Sequence, residues 1–512
     1  MSTTLAERSG ADAARPPRHL KVAIIGSGFS GLGMAIRLLQ TGMDDFLVFE
    51  RADEVGGTWR DNSYPGCACD VMSLLYSFSF AQNPRWSSTF GKRDELFEYL
   101  RNCADEYGVR PYLRLGHELL AARWDEVDRR WLLSTSAGEY TAQVLVTGTG
   151  YLSDPVQPRI DGMAAFNGPA FHSANWDHQV DLAGKRVAVV GTGASAIQFV
   201  PAIQPKVEHL DVYQRTAPWV GPKADKEITA RERWLRRNLP GYQNFRRNFN
   251  KNGREILAFL LGNPKRAKKT IQQMAHKHLT KSVADPQLRE KLTPDYTVGC
   301  KRLLFSNDWY PAVSSPNVEV VTTGIAHATP NSIVTTDGVT RPADVVIFGT
   351  GFHATSRPIA ERLTGRGGIT LAEAWGDRMS AYRGTTVHGF PNLFMLLGPN
   401  TTLGHSSQTV MIEAQIAYIL DALRQLDRRG LTSVEVREQA QDEYNQRLDQ
   451  RLASTVWHAS NCRSWYLDDN GRNPSIWPTY TFRFRRQTQR FDLAAYQLAT
   501  SAAAGYPAHQ SA

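Results

Sequence analysis

Cysteine is scarce in this chain of 512 residues: there are five, at Cys67, Cys69, Cys103, Cys300 and Cys462. An odd, widely scattered set excludes a disulfide-stapled framework, and reduced thiols are the expectation. One residue separates Cys67 from Cys69, so the Cys-x-x-Cys spacing of a dithiol redox site is absent. Long apolar runs are missing too. None reaches the roughly 18 residues that would argue for a membrane span. The first 19 residues are rich in Ala, Arg and Pro without the apolar core of a signal peptide, so a disordered lead over 1–19 and a cytoplasmic location are expected. Apolar content of 42% and charged content of 21% are those of an ordinary globular protein, and the length calls for two or three domains.

Acidic residues are scarce in one place. Between Lys223 and Lys291 stand 18 Lys or Arg against six Asp or Glu, a surplus of 12 that leaves the remainder of the +9 chain at −3. The basicity therefore belongs to a segment and is no general nucleic-acid signal. That segment carries Tyr242, Phe245, Phe249, Ile256, Phe259 and Leu260 at helical spacing. Two readings stand: an inserted helical subdomain with a solvated basic face, or a surface that recruits an anionic partner or steers an anionic cofactor.

Glycine is abundant at two matched places. The β-type run Leu20 to Ile25 delivers into Gly26-Ser-Gly28-Phe-Ser-Gly31, and an apolar helix follows until Gly42. Gly26 permits the tight turn, Gly28 lets backbone approach a pyrophosphate, and Gly31 lets the helix pack on the strand, with the helix N-terminus facing the phosphate charge. A second strand, Phe46 to Phe49, ends at Glu50. The unit recurs as strand Arg186 to Val190, then Gly191-Thr-Gly193-Ala-Ser195-Ala196, and a strand ending near Arg215. Glu50 and Arg215 each follow their first glycine by 24 residues. An acid at that position suits free ribose hydroxyls and an arginine suits a 2′-phosphate, so the first unit is expected to hold FAD and the second NADPH.

Val144-Leu-Val-Thr-Gly-Thr-Gly150 and Val345-Val-Ile-Phe-Gly-Thr-Gly351 bracket the second unit. The expected organisation is an α/β protein with two Rossmann-like dinucleotide-binding domains. Residues 20–151 form the first part of the FAD domain, 152–350 the NADPH domain with a helical insertion at about 223–291, and 351–512 the second part of the FAD domain. Leu396-Leu-Gly-Pro-Asn400 is a late strand and turn, followed by a helix from about Ser407 to Leu426 that Gly430 ends.

Between the two units lies Phe166-Asn-Gly168-Pro-Ala-Phe-His172-Ser-Ala-Asn-Trp176-Asp177. After the first ribose acid comes Gly56-Gly-Thr58-Trp59, leading to Tyr64-Pro-Gly-Cys-Ala-Cys-Asp70. Together these strings resemble those of the flavin-dependent Baeyer–Villiger monooxygenases, over nearly the whole chain from Val22 to about Trp477. The resemblance implies that FAD, NADPH and O2 convert a small-molecule ketone to an ester or lactone through a C4a-peroxyflavin, with no metal and no nucleic acid. It implies Thr58, Trp59, Tyr76 and Asn400 at the flavin, and Tyr64, Ser195, Thr216 and Lys301 at the nicotinamide cofactor. Asp70 is implied beside the flavin, orienting Arg302, whose fixed guanidinium offsets the developing negative charge. From the residues alone, Asp70 is equally a loop-capping carboxylate and Lys301-Arg302 a common surface dipeptide.

His172 titrates near neutral pH, but its place between domains points to a hinge or coupling role and not to proton transfer; Phe166, Gly168, Trp176 and Asp177 share that role. Asn461-Cys-Arg-Ser-Trp465-Tyr466 resembles the family's loop over nicotinamide and substrate, while its aromatic richness equally suits core packing. Gly471-Arg-Asn-Pro departs from the family's usual tail, which leaves substrate preference open. A sulfur- or nitrogen-oxygenating relative and an NADPH-dependent flavin reductase are the alternatives. Monomer and homodimer both remain open.

Overall fold

The computed structural model describes residues 17–458 and 464–500. Two sheets grow from the two glycine units, the first mixed and the second parallel. In the first, the strand Arg18–Ile25 lies between Phe46–Phe49 and Gly138–Thr147 and runs parallel to both, with Ile25 opposite Phe49 and Thr147. Val22 and Ile24 pack into one core while Ala23 and Ile25 pack into another on the opposite face. Both faces are covered, which is why the run is continuously apolar and does not alternate. The strand begins at Arg18, opposite Tyr140, so residues 18 and 19 belong to the sheet and not to the expected lead; residues 1–16 of that lead lie outside the described residues.

The long strand Gly138–Thr147 divides its free edge. Its first half pairs antiparallel with Arg130–Thr135, and its last residues pair parallel with Leu393–Met395, Met395 opposite Thr147. Leu363–Thr364 joins the far side, next to Leu119–Asp125. This sheet is therefore assembled from residues 18–147 and 363–395. Helix Phe29–Gln40 and helix Gln408–Arg429 cover one face; the latter starts at Ser407 and ends at Gly430 in the left-handed conformation, φ +58°.

The second sheet has five parallel strands in the order Val318–Val321, His209–Tyr213, Arg186–Val190, Val345–Phe348, Ala170–His172. The edge strand Ala170–His172 is the middle of the Phe166-to-Asp177 string, with His172 opposite Phe348. Gly168 is needed there, because a Cβ would stand 2.1 Å from the Asp344 carbonyl oxygen.

Between these sheet segments stand the helices Ala230–Asn238, Tyr242–Leu261, Gln273–Ser282 and Pro286–Lys291. Most Lys and Arg side chains of the basic segment are exposed, as a solvated basic face requires, but helix Tyr242–Leu261 departs from that expectation. In Tyr242–Leu261 the side chain of Arg247 is buried, its Nη1 donating to the carbonyls of Leu74 at 2.6 Å and Ser77 at 2.9 Å, while Phe245, Phe249, Ile256 and Phe259 are exposed. The loop after Leu74 presents carbonyls that an arginine satisfies and a phenylalanine cannot. Cys67, Cys69 and Cys103 are free, whereas Cys300 is disulfide-bonded, which departs from the expectation of five reduced thiols. No helix among the described residues is long and apolar enough to cross a membrane.

Candidate active site between two glycine turns

The first turn is closed by contacts that leave no room for side chains. Gly26 sits at φ +94°, and a Cβ on Gly31 would lie 1.8 Å from the Gly26 carbonyl oxygen. Gly28 faces Gly57, its Cβ position only 3.7 Å from the Gly57 Cα, so two backbones line a narrow passage. Helix Phe29–Gln40 begins there without a side-chain cap, which leaves its N-terminal amides for a ligand. Glu50 is buried and accepts from Ser27 N at 2.9 Å and Ser27 Oγ at 2.7 Å, with Arg60 at 3.1 Å. Trp59 Nε1 donates to the Tyr76 hydroxyl at 3.3 Å, and the two rings meet edge to face. Gly26, Gly28, Glu50, Thr58, Trp59 and Tyr76 all line one cavity. Open backbone, free amides and a ribose-height carboxylate fit a dinucleotide.

The second turn is more open. Gly191 repeats the tight geometry at φ +109°, its Cβ position 2.5 Å from the Gly349 carbonyl oxygen, while the space at Gly193 is nearly empty. Helix Ala196–Ile203 begins at Ser195, again without a side-chain cap. Arg215 is exposed and has no ion pair among the described residues. Lys301 lies over the Tyr296 ring at 4.9 Å; its burial and then the nearby Arg215 charge lower its pKa. Two cations held near each other, neither in an ion pair among the described residues, make a site for an anion such as a 2′-phosphate.

One loop joins the two halves. Gln198, on the second unit's helix, donates through Nε2 to the Ala68 carbonyl at 2.9 Å and accepts from Ala68 N at 3.2 Å through Oε1. The Tyr64 hydroxyl reaches the same Oε1 at 3.2 Å, its ring packs edge-on to Phe199, and Gly66 comes so close to the Gln198 carbonyl that a Cβ would stand at 2.6 Å. Burial pushes the Tyr64 phenol well up, keeping it neutral. Two residues beyond Ala68, Asp70 Oδ2 accepts from Arg302 Nε at 2.8 Å and Nη2 at 2.6 Å. The side chains are 27% and 25% exposed. Burial alone would raise the Asp70 carboxyl, and the Arg302 guanidinium more than offsets this, holding it below the ordinary carboxylate value. Asp70 in turn raises Arg302 further. The result is a fixed positive fork whose Nη1 donates to the Leu403 carbonyl at 3.5 Å, with the Tyr466 phenol close to the same guanidinium.

Known proteins carry the same architecture. The pyridine nucleotide-disulphide oxidoreductase family model matches residues 23–256. A Baeyer–Villiger monooxygenase of Streptomyces coelicolor is 50% identical over 481 residues, covering 94% of this chain and 93% of that protein. A second, of Pseudomonas aeruginosa, is 50% identical over 489 residues, covering 94% and 92%. The chain belongs to the Baeyer–Villiger monooxygenase family. Among solved structures, oxidized steroid monooxygenase bound to NADP is 28% identical with TM-score 0.83, covering 94% of this chain and all of that one. Closed cyclohexanone monooxygenase is 25% identical with TM-score 0.85, covering 95% and 100%.

Within this Baeyer–Villiger framework the remaining expected residues fall into two groups. His172 is buried; its Nδ1 accepts from Ala174 N at 3.0 Å and its ring meets Phe352 edge-on, while burial pushes its pKa down to about 4. Trp176 packs on Phe171 and Phe199, Phe166 joins the core behind the second sheet, and the exposed Asp177 caps Gln179 N. These couple elements and lie off the cavity at the first turn. Asn400, at φ +54°, sends its amide to the carbonyls of Asn473 and Ile476 and lies off the cavity wall. Thr216 presents its carbonyl to Thr192 Oγ1 at 3.4 Å. Trp465 stacks on Tyr151 and meets the Tyr466 ring at a tilt; residues 461–463 of its string lie outside the described residues.

Four site residues have no motif signal. Gln198 looks like a polar break in an apolar helix. Arg357 lines the first cavity, donates to the Leu397 carbonyl at 2.7 Å, and is pushed down to about 10 by burial without a carboxylate partner among the described residues. His405 is buried with no partner for either ring nitrogen among the described residues, and burial followed by the Arg254 charge takes it to about 3. Arg254 reaches this centre from the basic helix, depressed by burial and held up by Asp70. The cluster His209, Asp211 and Glu319 has metal-like spacing, but Arg341 already bridges the two carboxylates at 3.3 and 2.6 Å.

Proposed function

We propose that this chain binds FAD along the first turn and NADPH along the second, and inserts one oxygen atom of O2 beside the carbonyl of a small ketone. The balance is ketone, O2, NADPH and a proton giving ester or lactone, water and NADP+. FAD, when bound, carries two electrons from NADPH to dioxygen and delivers one oxygen atom.

The protein's part is positional and electrostatic. Gly26, Gly28 and the open helix end receive the FAD pyrophosphate, and Glu50 takes a ribose hydroxyl in exchange for one of its present donors, Ser27 N, Ser27 Oγ, Ala52 N or Arg60. Arg357 adds an unpaired cation on that wall. Gly191, Gly193 and Ser195 receive the coenzyme phosphates, and Arg215 with Lys301 binds the 2′-phosphate. Asp70 holds Arg302 in one orientation so that its charge faces the reacting oxygen and carbonyl without reorganising. The observation that carries this account is the Asp70 to Arg302 fork, reached from both glycine units through the Gln198 contact.

On this reading the domains are 18–151 with 351–512 for FAD, and 152–350 for NADPH with the insertion at about 223–291. Support comes from a first sheet drawing strands from both chain ends and a second drawing on 170–348. The test is incubation of the holoenzyme with NADPH and a ketone panel under isotopically heavy dioxygen. One heavy oxygen per ester is expected. NADPH consumption that yields peroxide from every ketone, with no ester, would contradict it.

A further inference from the structure

Helix Tyr242–Leu261 is built inside out. Arg247, Arg254, Ala258 and Leu261, spaced by seven, four and three residues, share one side of the helix and face the protein, where Glu255 also anchors the helix by accepting from Thr481 N at 3.3 Å. Phe245, Phe249, Ile256 and Phe259 recur on the other side and are exposed by 65%, 67%, 64% and 47%. Trp234 and Leu239 on the preceding helical segment, and Phe482 beside Thr481, are exposed as well. Single exposed apolar residues need no explanation, but an aligned stripe of large ones marks a surface that something covers.

The surroundings of the stripe say what. From Arg233 to Lys281 the chain carries 13 Lys or Arg and one acid, Glu255, which is occupied by Thr481. Arg266 sits 3.8 Å over the Phe259 ring, so the stripe runs directly into the next helical turn. There a groove of roughly 630 Å3 is lined by Lys265, Lys268, Lys269, Lys277 and His276. A π-helical turn at Lys268–Gln272 shapes its wall, an irregularity that recurs at functional sites. Aromatic side chains flanked by lysines, with the one intervening acid, Glu255, held by Thr481, match an interface that is anionic at its surface and apolar just beneath. A second copy of this chain would bring two such cationic faces together, and a purely acidic partner would leave the phenylalanines uncovered.

We propose that this face docks the protein on an anionic lipid bilayer, with Phe245, Phe249, Ile256 and Phe259 in the interfacial layer and the lysine groove on phosphate headgroups. The chain does not span the bilayer in this arrangement; it lies on it. The surface is separate from the oxygenation chemistry and stands without it.

Co-sedimentation of the full-length holoenzyme with vesicles tests this. Vesicles of phosphatidylcholine with phosphatidylglycerol are expected to bind it, pure phosphatidylcholine vesicles far less, and added salt to release it. The double variant Phe249→Ser with Ile256→Ser is expected to lower vesicle affinity by on the order of tenfold or more, with NADPH consumption in vesicle-free buffer unchanged. Lys268→Gln with Lys269→Gln is expected to lower affinity for the anionic vesicles and flatten the salt dependence. Inorganic phosphate at the same ionic strength as a chloride control should compete no better than chloride. No binding to the anionic vesicles overturns the proposal, as does equal binding by the serine variant. A dimer that the serine variant converts to monomer overturns it in favour of a second copy.

Discussion

The two glycine turns share one backbone plan and differ in how much of their ligand work is already done. At the first, Gly31 cannot carry a Cβ, and the ribose-level residue Glu50 is buried and tied to Ser27 and Arg60. At the second, the equivalent third position is Ala196, and the ribose-level residue Arg215 is exposed without an ion pair among the described residues. On the proposed reading the first is preorganised for a resident group, and the second keeps its charge free for a coenzyme exchanged in each turnover. Organisation before binding reduces the ordering penalty and favours retention.

The sharpest way to break this comparison is to exchange the third positions. Gly31→Ala forces a Cβ to 1.8 Å from the Gly26 carbonyl oxygen, so the turn must open. Purified protein is expected to lose most of its flavin absorbance, whereas Ala196→Gly should keep it and alter NADPH binding little. Next, Arg215→Ala should raise KM for NADPH relative to NADH on the order of 10², the loss of one charge-assisted contact of about 1.5–3 kcal/mol. An unchanged coenzyme preference would remove Arg215 from the phosphate site. Gln198→Ala breaks the clasp between the halves. It should slow kcat by roughly tenfold, from loss of hydrogen bonds each worth about 1 kcal/mol, while flavin content stays full.

The smallest effect at neutral pH belongs to His172→Asn. Its native pKa of about 4 lies below the ordinary 6.5, so the unfolded chain takes up the proton first. Stability is therefore lost as pH falls through about 6.5 toward 4, by about 3 kcal/mol in all. The asparagine variant, which keeps an acceptor for Ala174 N, should show a flatter melting temperature over that window and no change above it. A parallel decline in both proteins would assign the acid sensitivity to other groups.

Both turns, their strands and Ser407 to Gly430 were legible because steric demands on glycine, the buried β-run and capping residues act locally. Asp70 and Arg302 were legible only through motif resemblance, since 232 residues separate them and no local rule links a loop aspartate to a distant arginine. Gln198, Arg357 and His405 were not legible at all. Each acts by meeting backbone or cavity supplied from elsewhere, as Gln198 meets Ala68. The direction of helix Tyr242–Leu261 was misjudged for the same reason: periodicity gives two faces, and the carbonyls of Leu74 and Ser77 decide which one turns inward.

The central claim is that Arg302 serves oxygen insertion while the two turns serve electron delivery. It is tested by measuring ester formed per NADPH consumed in Arg302→Ala beside the unaltered enzyme. The account predicts that the variant still binds flavin and consumes NADPH but diverts the electrons to peroxide, with ester reduced by on the order of 10² or more. Ester yield per NADPH equal to that of the unaltered enzyme would contradict it.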